Sequence, residues 1–192
     1  MVATASPGKE IDMLDPERVL LLTGASRGIG HATVKRFNDG GWRVLTISRH
    51  SFDPRCPWKG GEQNHIQLDL SEPDEIDEAL PRVRKMLGGR LDALVNNAAI
   101  SPKHPDGSKI HSLEMSYRDW VHIFNVNFFA SVLLVQGLRE ELIAARGSVV
   151  NLTSIVGSRV HPFASAAYAT SKAALAALTR EMAADLGRAG VR

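Results

Sequence analysis

The sequence predicts an α/β protein in which a doubly wound parallel sheet carries helices on both faces. Short apolar runs recur along the 192-residue chain, and stretches with helical spacing of apolar residues separate them. This strand–helix alternation is typical of parallel sheets, in which each crossover helix covers the sheet. No internal repeat or domain linker interrupts the alternation. We therefore expect a single domain over residues 18–192, preceded by a flexible leader at residues 1–17.

The first unit consists of a strand, a glycine-rich turn and a helix. Val19–Leu22 is a run of apolar residues and predicts a short buried strand. Thr23–Gly30 follows it and spaces its glycines as Gly-x-x-x-Gly-x-Gly. An amphipathic helix is expected next, because apolar residues alternate with polar ones until a glycine pair ends the segment. The residues concerned are Ala32, Val34, Phe37 and the pair Gly40–Gly41.

The glycine turn has the composition of a phosphate-binding site. Gly24 allows a tight turn, Gly28 allows the backbone to approach a pyrophosphate, and Gly30 allows the helix to pack closely on the strand. Free N–H groups and the positive dipole end at the helix N-terminus favour the same anion. The pattern predicts a dinucleotide-binding βαβ unit, although an ordinary glycine-rich strand-to-helix turn has the same composition.

Two further strands and a helix complete the first half of the predicted sheet. Trp42–Ser48 and His65–Leu70 are predicted as strands, and the proline- and glycine-rich segment Arg49–Gly61 as a loop or a single helical turn. Ser71 is expected to cap the next helix. Pro81 inside this helix predicts a kink. The apolar residues with helical spacing are Ile76, Leu80, Val83 and Leu87.

The second half of the chain continues the alternation. Leu91–Val95 and Ser148–Leu152 are predicted as the fourth and fifth strands. The polar segment Ser101–Ser116 between them is too long for a simple connection and is expected to be a functional loop. A long helix should follow over Tyr117–Ala145, and an alanine-rich helix over Ala166–Leu186 should end the alternation.

Composition excludes several classes of protein. The formal net charge is +2 and no basic stripe is present, so neither nucleic acid nor a membrane surface is an expected partner. Cys56 is the single cysteine, which excludes an internal disulfide. The sequence has no cysteine–histidine cluster that would predict a metal site. No apolar run approaches the roughly 20 residues that span a bilayer, and the leader does not have the pattern of a signal peptide. We therefore expect a cytoplasmic protein.

Tyr168 and Lys172 are candidates for acid–base chemistry. They are four residues apart on the predicted last helix and therefore share one face. An ammonium group near a phenol favours the phenolate and lowers the pKa of the phenol from about 10. Such a phenol can exchange a proton with a carbonyl or an alcohol near neutral pH. Ser154 follows the fifth strand, at the edge where open α/β sheets bind ligands, and its hydroxyl can hydrogen-bond a substrate oxygen.

Four motifs follow one another along the chain. They are the glycine turn Thr23–Gly30, Asn96–Ala99, Asn127 within the run Asn125–Phe128, and the Tyr168–Lys172 pattern preceded by Ser154. In this order they resemble the short-chain dehydrogenase/reductase family over nearly the whole chain. The resemblance implies a Rossmann-like fold and an oxidoreductase that transfers a hydride between a nicotinamide cofactor and a carbonyl or secondary alcohol.

The resemblance also implies a role for each candidate catalytic residue. Tyr168 would be the general acid/base, and Lys172 would bind the nicotinamide ribose and tune Tyr168. Ser154 would orient the substrate carbonyl, and Asn127 would hold a water in a proton relay. The alternative is a nucleotide-binding protein without turnover, whose substrate lobe is incomplete.

The implied cofactor contacts lie in the glycine turn and at the strand ends. They are Gly24, Ser26, Arg27, Gly28, Ile29, Gly30, Ser48, Arg49, Asp69, Leu70, Asn97, Ala98, Tyr168 and Lys172. NAD-binding folds place an acid about 20 residues after the glycine turn. Ser48 stands there without an adjoining acid, and Arg49 follows it. Arg49 and Arg27 can hold a 2′-phosphate, so the predicted cofactor is NADP, unless both arginines are solvated surface residues.

Several residues compete for the implied roles. Thr153 and Ser158 are rivals of Ser154, whose interval to the tyrosine is one residue longer than the family's usual spacing. Asn125 competes with Asn127, and the family pattern favours Asn127.

The histidines and Ala99 carry weaker expectations. His161 lies between the serine and the tyrosine and is a candidate substrate contact. Ala99 stands where the family usually has glycine, which would crowd the backbone beside the nicotinamide. The remaining histidines considered are expected to lie on the surface or in loops, and they are His31, His65, His104 and His111.

The resemblance carries two expectations beyond the site. Family members continue past Gly190–Arg192 into two further strands and a substrate-binding loop, so C-terminal strands are expected to be missing from this chain. The fifth strand would then present an unpaired edge, which further residues or a partner strand should cover. In the family, the helices equivalent to Tyr117–Ala145 and Ala166–Leu186 form a contact between subunits, so we expect a homodimer or homotetramer.

Overall fold

The computed structural model describes residues 17–56, 58 and 60–192, so nearly all of the predicted leader lies outside the described residues. Five strands form one parallel sheet in the order β3-β2-β1-β4-β5. The strands are β1 Val19–Thr23, β2 Arg43–Ser48, β3 His65–Gln67, β4 Ala93–Asn96 and β5 Ser148–Asn151. The strand order reverses between β1 and β4, and ligands of open α/β sheets bind beside such a switch point.

Within the described residues, six α-helices accompany the sheet. They are α1 Gly28–Asp39, α2 Pro73–Leu87, α3 Tyr117–Phe124, α4 Ala130–Gly137, α5 Arg139–Ala145 and α6 Ala166–Gly187. One hydrophobic cluster joins the sheet to α1, and a second joins it to α2, α4 and α6. The doubly wound parallel sheet with helices on both faces is therefore confirmed.

Side-chain alternation along β1 explains why both faces need a cover. Leu20 and Leu22 belong to the cluster that includes Val34 of α1. Leu21 points to the opposite cluster, which includes Ile76 of α2. Every residue of β1 is buried, as expected for a central strand of a parallel sheet.

The prediction of a single long helix after the polar loop was wrong. The structure has α3, a π-helical turn at Asn125–Phe129, α4 and α5, with a break at Leu138, where φ is −115°. The Gly137 carbonyl accepts two hydrogen bonds from the Arg84 guanidinium, at 2.6 and 2.8 Å, which stabilises this end of α4. A Cβ at Gly137 would overlap Leu80, so glycine allows α4 to pack directly on α2.

Two smaller predictions also need correction. Glu72 rather than Ser71 is the N-cap of α2, and the Ser71 hydroxyl donates to the Glu72 carboxylate at 3.4 Å. β3 is half as long as predicted because its partner β2 ends at Ser48. Pro81 lies inside α2 without ending the helix.

The segment Tyr117–Gly137 is long and apolar enough to cross a membrane, judged by length and composition alone. The expectation that no apolar run has this length was therefore wrong. Core helices meet the same criterion, and Leu134 and Val135 of this segment pack in the cluster with α2 and the sheet. Ile123 packs in a separate cluster with Ala167 of α6.

β5 lies at the edge of the described sheet. The Val149 N–H donates to the Arg192 carbonyl at 2.7 Å, and the Arg192 N–H donates to the Gly147 carbonyl at 3.0 Å. The chain after α6 therefore runs beside β5, on the side where the implied sixth strand would pair. Val150 of β5 is 48% exposed.

Candidate active site

The glycine turn joins β1 to α1 at the carboxyl edge of the sheet. Gly24 and Gly28 have φ values of +72° and +56°, in the left-handed region that favours glycine. A Cβ at Gly30 would overlap the Gly24 carbonyl oxygen and lie 2.7 Å from Asn97 Nδ2, so this packing requires glycine. Within the described residues, the N-cap Arg27 makes no side-chain capping bond, which leaves the first N–H groups of α1 to a ligand.

Gly30→Ala is expected to destabilise the domain by about 1–3 kcal/mol, because the added methyl group must displace the Gly24 carbonyl. Gly187→Ala is the matched control, since no described atom lies within 4 Å of a Cβ at Gly187. Urea unfolding of both variants measures the difference. An unchanged midpoint for Gly30→Ala would contradict the close packing of α1 on β1.

Asn97 ties the end of β4 to the glycine turn. Its Nδ2 donates to the carbonyl oxygens of Thr23 and Gly24, both at 2.9 Å. The N–H groups of Asn97 and Ala98 donate to Thr23 Oγ1 at 3.1 and 3.0 Å. These four bonds join β1 and β4 at the switch point and hold the base of the cleft between the strand ends in place.

A cleft of about 530 Å³ opens at this switch point. Many of the predicted cofactor contacts line it, namely Gly24, Ser26, Arg27, Ser48, Arg49, Asp69, Leu70, Asn97 and Ala98. The other predicted contacts are outside the described lining of this cleft, and they are Gly28, Ile29, Gly30, Tyr168 and Lys172. The structure therefore brings nine of the predicted cofactor contacts together in one cleft.

The cleft also contains residues that sequence reasoning missed. They include His50, Ile100, His122 and Val126. His50 directly follows Arg49, so its place after β2 was a usable signal. His122 and Val126 come from α3 and the π-helical turn, whose position over the cleft depends on tertiary packing.

The lining fits a dinucleotide. The cleft lies beside the uncapped start of α1, and a Cβ at Gly28 in this turn would meet no neighbouring atom within 4 Å. Arg27 and Arg49 are exposed cations that can meet phosphate groups. Burial opposes ionisation of Asp69, but hydrogen bonds from Ser71 outweigh it and hold the pKa of this carboxyl below its ordinary value. Asp69 is therefore an ionised acceptor at neutral pH.

Lys172 is buried near Tyr168 on α6. The ammonium Nζ donates to the Leu152 carbonyl at 2.6 Å and lies 5.9 Å from the centre of the Tyr168 ring. The lysine is 2% exposed, and this burial lowers its pKa to about 8. Lys172 therefore carries its charge at neutral pH and loses it under mildly alkaline conditions. Tyr168 itself is half-buried.

Asn127 lies in the π-helical turn and connects the cleft to α6. Its Oδ1 accepts from the Ile100 N–H at 2.8 Å, and its Nδ2 donates to the Ile100 carbonyl at 3.0 Å and to Ser171 Oγ at 3.1 Å. Both amide hydrogens are thus used, and one lone pair of Oδ1 remains. Asn125, the rival residue, instead donates to the Ser71 carbonyl at 2.8 Å.

The three hydroxyl candidates after β5 differ in their hydrogen bonds. Ser154 is half-buried, and its Oγ accepts a long bond from the Val156 N–H at 3.4 Å, which leaves its own hydrogen available. The Ser158 hydroxyl is exposed and already donates to the Ile155 carbonyl at 3.0 Å. Thr153 is exposed. This accounting favours Ser154 as the donor to a substrate oxygen.

His161 is exposed on the loop before α6. Its Nδ1 accepts from the Phe163 N–H at 3.3 Å. It lines a separate cavity of about 410 Å³ together with Lys109 and Arg159, on the side of α6 that carries Ala169. The structure therefore does not bring His161 into the cleft at the switch point.

Comparison with known proteins gives the chain a family context. The family model for short chain dehydrogenase matches residues 18–192. Protein FixR of Bradyrhizobium diazoefficiens is 54% identical over 184 residues, which are 95% of this chain and 66% of that protein. The NADPH-dependent 1-acyldihydroxyacetone phosphate reductase of Schizosaccharomyces pombe is 32% identical over 93% of this chain and 58% of that protein. The chain thus spans roughly three fifths to two thirds of these curated relatives.

A solved structure of similar sequence supports the same context. An oxidoreductase of the short chain dehydrogenase/reductase family from Brucella ovis, in complex with a partially ordered NAD, superposes with a TM-score of 0.88. It is 58% identical, and the match covers 92% of this chain and 80% of that one. Homologues of this chain therefore bind a nicotinamide dinucleotide.

Proposed function

The chain belongs to the short-chain dehydrogenase family, and we propose that the whole protein is an oxidoreductase that uses NADP(H) to interconvert a carbonyl group and a secondary alcohol. One observation carries the proposal: the buried Lys172 ammonium lies beside the Tyr168 ring, and Asn127 joins this part of α6 to the cleft. The cofactor, when bound, supplies or accepts the hydride. The chain's own residues bind, orient and move the proton.

Tyr168 is the proposed proton donor and acceptor. The buried Lys172 ammonium lies 5.9 Å from the centre of its ring, so a positive charge is held beside the group that would exchange the proton. In carbonyl reduction, Tyr168 Oη would donate this proton to the carbonyl oxygen. In alcohol oxidation, it would accept the hydroxyl proton. Ser154 would hold the same substrate oxygen by donating its unused hydroxyl hydrogen.

Lys172 and Asn127 would support this proton transfer. The Lys172 ammonium has three hydrogens and uses one on the Leu152 carbonyl, so two remain for ribose hydroxyls or a water. The free lone pair of Asn127 Oδ1 is the proposed acceptor for a relay water. Asn127 also fixes the segment at Ile100 that lines the cleft.

The kcat/KM for carbonyl reduction is expected to fall as the pH rises through about 8. Burial lowers the pKa of Lys172 to about 8, so its charge is present below that pH and is lost above it. Above that pH, proton transfer at Tyr168 would take place without the cation that lies beside its ring. A pH profile of kcat/KM tests this, because it reports ionisations of the free protein. A profile that stays flat on both sides of pH 8 would contradict a charged Lys172.

The proposed preference for NADP rests on charge. Arg27 and Arg49 are exposed, line the same cleft and can bind a 2′-phosphate by charge-assisted hydrogen bonds. Ser48 occupies the end of β2, where NAD-binding folds carry an acid. The relatives do not agree on the cofactor, since one is an NADPH-dependent reductase and the structure of another holds NAD. The preference must therefore come from this chain's own residues.

We also propose that the protein forms a homodimer or homotetramer through α3, α4 and α6. Val121 of α3 and Phe129 of the π-helical turn are large apolar residues that are 36% and 45% exposed. Small exposed residues on α6, including Ala177 and Ala184, allow close helix approach. Light scattering at micromolar concentration is expected to give at least twice the mass of one chain, and a monomer mass would contradict the proposal.

The experiment that tests the proposed activity is NADPH oxidation by the full-length protein with a panel of carbonyl compounds. The panel contains 3-oxoacyl thioesters, steroids, sugars and small diketones. Turnover of at least one compound is the expected result. Binding of NADPH without oxidation by any of them would favour a nucleotide-binding protein without turnover.

A further inference from the structure

The turn after β2 is held from the side of β3. Three successive carbonyl oxygens of this turn, those of Ser48, Arg49 and His50, each accept a hydrogen bond. The first accepts from the backbone N–H that follows β3, at 2.9 Å. The second accepts from Gln67 Nε2 at 3.2 Å, and the third from the His65 ring at 2.8 Å. All three turn residues line the cleft, so β3 sets the shape of one of its walls.

His65 has a defined protonation pattern in this arrangement. Its Nδ1 lies 2.8 Å from Oγ1 of Thr46, a buried residue whose hydroxyl can donate. The network therefore assigns the ring proton to Nε2, which donates to the His50 carbonyl. The Ser48 hydroxyl donates to the same carbonyl at 2.9 Å, and its two lone pairs accommodate both donors.

His65 opens β3, as the predicted strand from His65 implies. It is half-buried rather than fully exposed on the surface. The ring of Phe52 packs against it with a centroid distance of 6.0 Å. Since the ring bonds at both nitrogens and packs on an aromatic side chain, it has one preferred orientation.

We propose that His65 is a positioning residue that fixes Arg49 for recognition of the ribose 2′-phosphate of NADP, an inference that rests on the proposed NADP preference. The Arg49 side chain is exposed, and its Nε donates to His50 Nε2 at 3.3 Å. Both side chains leave the turn whose backbone His65 holds at the His50 carbonyl, so a shift of this turn would move Arg49 and its His50 partner together. A guanidinium that is held in place before binding loses less conformational freedom when it meets a phosphate.

Direct binding to the full-length protein tests the proposal. The probes are 2′,5′-ADP, which carries the 2′-phosphate, and 5′-AMP, which lacks it. His65→Leu keeps an apolar contact for Phe52 but removes the donor to His50. The Kd for 2′,5′-ADP is expected to rise about three- to tenfold, the usual effect of one lost hydrogen bond, while the Kd for 5′-AMP stays unchanged. The KM for NADPH should rise by the same factor with kcat preserved.

Two further variants separate positioning from a general structural effect. His65→Gln restores an amide N–H near the position of Nε2 and is expected to recover most of the affinity for 2′,5′-ADP. His31→Leu is the matched control, because His31 is also half-buried and packs edge-on against Trp58, but lies outside the described lining of the cleft.

If His65→Leu fails to fold, Thr46→Val tests the same proposal, because it removes the hydroxyl that sets the tautomer of His65. It should raise the Kd for 2′,5′-ADP two- to threefold, which is about half the effect of His65→Leu in free energy.

The outcomes distinguish this proposal from the proposed cofactor preference. A wild-type protein that prefers 2′,5′-ADP, together with a selective loss in His65→Leu and rescue in His65→Gln, supports both. A preference that survives in His65→Leu and in Thr46→Val overturns the role of His65 alone. Equal affinity of the wild-type protein for NADP and NAD overturns the cofactor preference, and the role of His65 with it.

Discussion

Replacing Tyr168 with phenylalanine is expected to lower kcat for carbonyl reduction by about 10²–10⁴-fold, the usual contribution of a positioned general acid. The variant keeps the aromatic ring beside Lys172 and loses only the phenol hydroxyl. Dinucleotide binding should therefore change little, because most of the predicted cofactor contacts line the cleft and are left intact. Steady-state turnover and a cofactor titration on the same preparation measure the two effects separately.

Tyr117→Phe is the matched control for this experiment. Tyr117 is the other of the two tyrosines in the chain, and it is 84% exposed on α3. Its substitution removes the same hydroxyl from a solvent-facing position and should leave kcat unchanged. If Tyr168→Phe retained near-wild-type turnover, the assignment of the proton donor would be wrong.

The cofactor preference should reverse in Arg49→Asp. The wild-type protein is expected to favour NADPH over NADH by about 10- to 100-fold in kcat/KM, the range given by charged hydrogen bonds of 1.5–3 kcal/mol. An aspartate at this place repels the 2′-phosphate and can accept a hydrogen bond from the 2′-hydroxyl of NADH. Kinetics with both cofactors on one substrate give the ratio directly.

A charge-matched control separates local recognition from net charge. Arg139→Asp makes the same change of two charge units in an exposed residue at the start of α5, outside the described lining of the cleft. It should leave the cofactor ratio as in the wild-type protein. Equal kcat/KM for NADPH and NADH in the unmodified protein would overturn the proposed preference.

Features of the fold that depend on local chemistry were predictable from the sequence. The strand, glycine turn and helix around Gly30 have a fixed spacing because the backbone of α1 must approach the Gly24 carbonyl, and no other residue fits there. The shared face of Tyr168 and Lys172 was also predictable, because their spacing of four residues places them on one face of any helix. Ser116, which ends the polar loop, accepts from the Asp119 N–H at the start of α3, where the helix was predicted to begin.

Features that depend on contacts between distant segments were not predictable. The break after α4 lies where the Gly137 carbonyl accepts hydrogen bonds from Arg84, a contact between residues 53 positions apart. The His65 ring bonds to His50 across a segment whose sequence predicts a loop. The spacing of apolar residues along helices and strands carries no information about such bonds, because the bonds depend on how the folded elements pack.

The central claim, hydride transfer assisted by Tyr168, is tested most directly with NADPH in which both hydrogens at C4 are replaced by deuterium. The full-length protein is incubated with this cofactor and a carbonyl compound from the panel, and the alcohol product is analysed by mass spectrometry. We predict that deuterium appears on the carbinol carbon with the wild-type protein, and that Tyr168→Phe forms about 10²–10⁴-fold less of this deuterated alcohol in the same time. NADPH binding without deuterium transfer to any compound of the panel would contradict the claim.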